Sequence, residues 1–185
     1  MGSLIMDPTG QMARAETALE PAPRPPSLDG RTVGLLDNGK QNAGRFVEEL
    51  GKVLVDRYGV GSVVLRKKPV ATVDAPAELL GDLHTAVELV VIGVGDCGSC
   101  SAAAVADGIA LERLGTPTAV VCTESFKATA DAMAAVRGAA GYRYATVEHP
   151  MAGLPGDEVR ARAEGVAEEV ASLLVGAAAV RRGAA

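Results

Sequence analysis

The chain of 185 residues has no tryptophan, two phenylalanines, three tyrosines, two histidines and three cysteines. So few aromatic rings argue against a surface that binds nucleic acid by base stacking, and a net charge of −5 removes the electrostatic reason to expect a polyanion or an anionic membrane. Three cysteines are too few for a disulfide scaffold in a chain of this size. No uninterrupted apolar run approaches the roughly 20 residues of a membrane span. The first residues also lack a basic region followed by an apolar stretch and a small-residue cleavage site. The expectation is a cytoplasmic protein with neither nucleic acid nor membrane as partner.

What is present is a chain that is 48% hydrophobic, with 22 glycines and 10 prolines. That is too apolar for disorder and of a length suited to one core. Residues 1–30 read as an N-terminal segment and a Pro-rich linker, because prolines 21, 23, 25 and 26 favour an extended connector. Ahead of them, Leu4-Ile5-Met6 followed by Asp7-Pro8-Thr9-Gly10 is a short apolar stretch ending in turn residues, and whether it docks stays open. Residues 31–176 read as an α/β domain, and 177–185 as a small, basic, frayed tail.

Within the domain, short apolar runs alternate with helical stripes. Strands are expected at 31–37, 62–66, 88–94, 118–122 and 144–148. The helices that follow them fall at 43–58, 77–86, 99–114, 125–138 and 157–175. Five βα units in a row imply a mainly parallel five-stranded sheet with helices on both faces, a Rossmann-like or flavodoxin-like three-layer sandwich. The charge-rich stretch 157–169 reads as the solvated face of the last helix, with Val159, Val166 and Val170 buried.

In open parallel sheets ligands bind beyond the carboxyl ends of the strands, and all three cysteines and one histidine fall on that edge. The loops there supply Asp37, Asn38, Lys40 and Asn42 after the first strand and Lys67 after the second. The third contributes Asp96, Gly98, Ser99 and Ser101 around Cys97 and Cys100, the fourth Cys122, Glu124 and Ser125, and the fifth His149. Cys97-Gly98-Ser99-Cys100 opens a helix, where free N–H groups and the macrodipole favour a thiolate. Cys97 is then the nucleophile and Cys100, one turn on, the resolving thiol. Each other candidate also has a plainer reading. Cys122 can be a small core residue, His149 a loop residue bonded to backbone, and Ser125 a helix cap; Glu124 is a candidate acid or base. Arg66 and Lys68 join Lys40 and Lys67 as candidate partners for an anionic substrate group. Gly93-Val94-Gly95-Asp96-Cys97-Gly98 matches G-x-G-x-x-G literally, a weak signal in a loop that carries the thiols. No second pair of Cys or His ligands stands at a zinc spacing, so no metal is expected.

These residues resemble the UGSC family of actual and potential selenoproteins, named for selenocysteine-Gly-Ser-Cys. The similarity runs from about 34 to 154. It includes Leu35-Leu36-Asp37-Asn38-Gly39-Lys40, the block from Gly93 to Cys100, the stretch from Leu111 to Thr118, and Thr123-Glu124-Ser125-Phe126. The resemblance implies that Cys97 stands at the selenocysteine position and Cys100 at its partner thiol. More distantly, the chain is similar to the catalytic subunits of glycine and proline reductases, in which a selenol attacks a substrate carbon. Three functional expectations follow. In the first, Cys97 attacks an electrophilic small molecule, Cys100 resolves the adduct, and an external thiol reductant, with no tightly bound cofactor, restores the pair. In the second, the outcome is redox-neutral, as in a lyase, hydrolase or isomerase, with Cys122 or His149 as second catalyst in a racemase-like cleft. The third is a non-catalytic, redox-sensing binding subunit. A homodimer or partner subunit is expected from the aromatic-poor core.

Overall fold

The computed structural model describes residues 18–176. Its strands are β1 (Thr32–Asp37), β2 (Ser62–Lys67), β3 (Leu89–Gly95), β4 (Thr118–Thr123) and β5 (Ala145–Val147). The helices are α1 (Ala43–Tyr58), α2 (Ala77–Ala86), α3 (Gly98–Leu114), α4 (Lys127–Val136) and α5 (Gly156–Leu174), with a single 3₁₀ turn, Glu124–Phe126, ahead of α4. The strands form one sheet in the order β2-β1-β3-β4-β5, and every pairing is parallel. This is an α/β three-layer sandwich. The order reverses between β1 and β3, so their carboxyl ends define the switch-point crevice.

Each face of the sheet has its own core. Phe46, Val47 and Leu50 of α1 and Val159, Val166 and Val170 of α5 pack with Val33, Leu35, Val91 and Val121 on one face. On the other, α2, α3 and α4 cover Leu36, Val90, Ile92, Val120 and Cys122. β3 is buried along its whole length, as its unbroken apolar run requires. Helix α3 takes the most enclosed position with small residues, among them Ala103, Ala104 and Gly108; a Cβ at Gly108 would overlap Val120 of β4.

One irregularity shapes the carboxyl edge of the sheet. Ile92 pairs with Val120, but Gly95 pairs with Cys122, so β3 carries one residue more than β4 over this step. The extra residue switches the alternation: Val90 and Ile92 face α2 and α3, whereas Val94 joins the core under α1. Gly93 and Gly95 suit the step because neighbours leave no room for a side chain. A Cβ at Gly93 would lie 2.7 Å from Val47 and 2.9 Å from Phe46; one at Gly95 would lie 2.7 Å from the Cα of Ser101 and 2.8 Å from Cys122 Sγ.

The Pro-rich segment is extended and held against the domain along part of its length. Arg24 grips the buried Glu112 of α3 with two hydrogen bonds of 2.6 and 2.7 Å, and its Nε donates to the Leu173 carbonyl at 3.2 Å. Glu112 also accepts from the N–H groups of Ala22 and Thr118. The stretch Leu4-Ile5-Met6 and the tail 177–185 lie outside the described residues.

Candidate functional site

The turn from β3 into α3 places Cys97 at the N-cap of a 17-residue helix with no acidic residue in its first turn. Cys97 is half-buried, with backbone in the β region, and its Sγ accepts the Cys100 N–H at 3.3 Å. The Ser99 hydroxyl approaches the same sulfur at 3.7 Å. Cys97 and Cys100 are joined as a disulfide with Cα atoms 5.3 Å apart, and Cys100 is fully buried. Donors and helix dipole thus converge on the more accessible of the two sulfurs, the arrangement that stabilises a thiolate when the pair is reduced.

Asp96, one residue earlier, is nearly buried. Its Oδ1 accepts the Met151 N–H at 3.0 Å and its Oδ2 the Ala152 N–H at 2.8 Å, while His149 Nδ1 stands 2.9 Å from Oδ1. The Thr123 hydroxyl, at the end of β4, lies 3.3 Å from the same ring nitrogen, and the Phe126 ring meets the imidazole edge-on, centroids 5.4 Å apart. Cys97, Asp96 and His149 therefore share one corner of the sheet edge.

Other candidates hold the loops in place. Asn38 is fully buried and bridges the switch point: its backbone N–H bonds the Gly93 carbonyl and its side-chain amide the Val94 carbonyl. Asp37 closes its own turn onto Gly39 N–H at 2.8 Å and faces the Lys67 ammonium at 3.6 Å. Asn42, left-handed at φ 67°, ties the β1–α1 loop to the carbonyls of Met151 and Leu154. Lys40 donates its backbone N–H to the Asn38 side chain, and its own side chain is half-buried. Glu124 and Ser125 are exposed on the 3₁₀ turn, where the Glu124 carbonyl accepts the Lys127 N–H, and Ser125 does not cap α4, whose N-cap is Phe126.

Cys122 is fully buried on the α3 face of the sheet, and burial pushes its thiol up to about 12. The Ser101 hydroxyl and the Gly95 N–H oppose that shift. Ser101 Oγ lies close to the thiol without the geometry of a hydrogen bond, so it remains buried and without a partner. Cys97 and Cys122 do not face one another as two exposed thiols across a cleft. Lys68 differs from a surface cation: it is fully buried and paired with Asp107 of α3, whose other oxygen accepts the Ala75 N–H at 2.7 Å. That pairing fixes the loop between β2 and α2 and takes Lys68 out of reach of a ligand.

Sequence reasoning passed over Thr123, Phe126 and the backbone of Met151 and Ala152, which complete the corner around Asp96 and His149. The signal was there for the first two, inside the quoted Thr123-Glu124-Ser125-Phe126 block, but nothing local said that they meet a loop more than 20 residues away. Among the described residues, no cluster of three or more His, Cys, Asp or Glu is placed to hold a metal. No helix there is long and apolar enough to cross a membrane.

The model of the UGSC family matches residues 4–176, nearly the whole chain and the whole of the described site. The chain belongs to the UGSC family. The match takes in the turn that carries Cys97 and Cys100, Leu4-Ile5-Met6 and the strap that carries Arg24. No curated protein and no solved structure matches the chain, so the likeness to glycine and proline reductases has no match behind it.

Proposed function

We propose that this UGSC protein is a thiol-dependent reductase of small electrophilic molecules, with Cys97 as nucleophile and Cys100 as resolving thiol. The observation that carries the reading is the setting of Cys97: a half-exposed sulfur at the N-cap of α3, with a backbone N–H and a hydroxyl turned to it and a second cysteine within bonding distance. The Cys97 thiol attacks the electrophilic carbon of R–X, forming Cys97–S–R and releasing HX. Cys100 then attacks the Cys97 sulfur, the S–R bond breaks, R leaves with its electron pair and takes a proton as R–H, and a disulfide forms. Two electrons pass from the thiol pair to the substrate, and an external dithiol returns them. The second step needs a departing carbon that tolerates negative charge, so the substrate class is a carbon compound with its leaving group next to a carbonyl. The reading places the protein in the cytoplasm, where reducing thiols are abundant.

An α-bromo ketone tests it. The reduced protein should release one ketone and one bromide per pair and become oxidised at Cys97 and Cys100, while Cys100→Ser should stop at a stable Cys97 adduct detected by mass. A stable adduct in the wild type would contradict the reductive step. The redox-neutral alternative draws on the His149 corner, because Cys122 is buried and its thiol is held neutral. That alternative predicts turnover that survives Cys100→Ser.

A further inference from the structure

We infer that the chain forms a homodimer through β2, the two copies of which pair antiparallel about a two-fold axis at Val64 and join two five-stranded sheets into one. β2 and β5 are the edges of the sheet, and an uncovered edge presents a row of unpaired N–H and C=O groups to another chain. The β5 edge is short and closed. It has three residues; Glu169 of α5 accepts the Thr146 N–H at 3.2 Å, and just past the strand the Arg162 guanidinium donates to the Glu148 carbonyl. β2 has six residues, all but Val64 exposed. The N–H groups of Ser62 and of Lys68, just past the strand, go to the Arg31 and Asp37 carbonyls on the β1 side. By alternation Val63, Leu65 and Lys67 turn their backbone groups outward. Among the described residues these groups meet one side chain, Arg66, which donates to the Leu65 carbonyl at 3.0 Å.

The residues of β2 complement themselves in that arrangement. Val63 and Leu65 are each 41% exposed and, with Leu35 of β1 and Val55 of α1, line an open groove of about 480 Å³ on the α1 face. With the axis at Val64, Val63 of each copy exchanges N–H···O bonds with Leu65 of the other. Their side chains continue the apolar row across the axis, and Val64 meets its own counterpart on the opposite face. An axis at Leu65 would instead set Val63 against Lys67 and Val64 against Arg66, valine against cation. The charges select the same pairing. Antiparallel strands keep Arg66 and Lys67 of the two copies at opposite ends, and each Lys67 crosses Gly61 of the other copy toward the last turns of α1, where Asp56 lines the groove. Parallel strands would bring the cations together. A strand that matches itself when reversed fits a second copy of the chain about a two-fold axis. The Cys97 turn leaves β3, two strands further in, so the interface and the thiol chemistry stand or fall separately.

Sedimentation equilibrium of the full-length, reduced protein should give twice the mass of the chain. Val63→Lys combined with Leu65→Lys sets like charges opposite one another beside the axis and should return the mass of one chain, with circular dichroism reporting the fold. Val136→Lys, at an exposed apolar position of α4, should leave the dimer intact. Where the double variant fails to fold, Val64→Cys decides. A non-hydrogen-bonded antiparallel pair holds its Cα atoms about 4.5 Å apart, within disulfide reach, so mild oxidation should link two chains through position 64, as peptide mass mapping would show. A wild type that sediments as one chain, a folded double variant that stays a dimer, or a Val64→Cys protein that does not cross-link overturns the assignment. In a one-chain wild type, slow hydrogen exchange at the Val63 and Leu65 amides would give the edge to residues 1–17 of the same chain in place of a second copy.

Discussion

Cys97 and Cys122 lie at the ends of neighbouring strands, yet their surroundings differ. Cys97 meets a helix N-terminus and an N–H donor and is half-exposed; Cys122 is fully buried in the core under α3, beside the unpartnered Ser101 hydroxyl. Alkylation of the reduced, folded protein at pH 8 should therefore leave Cys122 unmodified until denaturant is added, which peptide mass mapping would show. The same burial gives an alkaline signature. Below about pH 9 the Cys122 thiol is neutral in both folded and unfolded chains, so its burial carries no ionisation penalty. Between the ordinary value of 9.0 and about 12 only the unfolded chain ionises, and stability falls by up to about 1.4 kcal/mol per pH unit. Cys122→Ala should flatten the profile between pH 9 and 10, while above pH 10 the loss continues from Tyr142 and Tyr144, whose hydroxyls burial also pushes up.

At the scale of elements, the contacts that matter are those where a strand end, a helix start and a loop are brought together by a few side chains. Gly95 is one. Because a Cβ there would strike the Ser101 backbone as well as Cys122, Gly95→Ala must shift the first turn of α3. It should cost about 1–3 kcal/mol in urea unfolding and lower the reactivity of Cys97 together with stability. The Arg24 strap is another. Arg24→Ala leaves the fully buried Glu112 with two backbone donors and no counter-charge, so a loss of about 3 kcal/mol is expected from the urea midpoint. Because Glu112 lies at the far end of α3, that loss should come without a change in Cys97 alkylation rate at low denaturant.

Elements and order were largely legible because the evidence for them is local. The bounds of α1 and α2 follow from apolar spacing within Ala43–Tyr58 and Ala77–Ala86, and β3 from an apolar run too long for a half-exposed strand. Where the reading and the structure differ, the cause is tertiary. The expected helix from 125 begins instead with a 3₁₀ turn that sets Phe126 against His149. Lys68 reads as a loop cation but finds Asp107, 39 positions away. Asn38 and Asn42 read as ligand-facing polar residues, yet their amides bond carbonyls from β3 and from the loop after β5. No spacing rule connects such partners.

For the whole molecule, the order β2-β1-β3-β4-β5 decides where chemistry can occur. It opens the crevice between β1 and β3, and the turn that emerges there from β3 is the one carrying Asp96, Cys97 and Cys100. The cores on the two faces hold that turn from both sides, α1 and α5 beneath Val94 and α3 above Cys122. The sheet thus fixes the thiol pair in space, and the loop after β5 brings His149 to the neighbouring Asp96. The reactivity of Cys97 is the claim on which the rest depends. Reduced protein treated with limiting iodoacetamide across pH 5–9, with the label located by mass, measures it directly. The account predicts that Cys97 takes nearly all of the label and still reacts rapidly at pH 6–7, below the range where an ordinary thiol ionises. Equal labelling of Cys97 and an unfolded-chain cysteine, with a rate that rises only above pH 8, would contradict it.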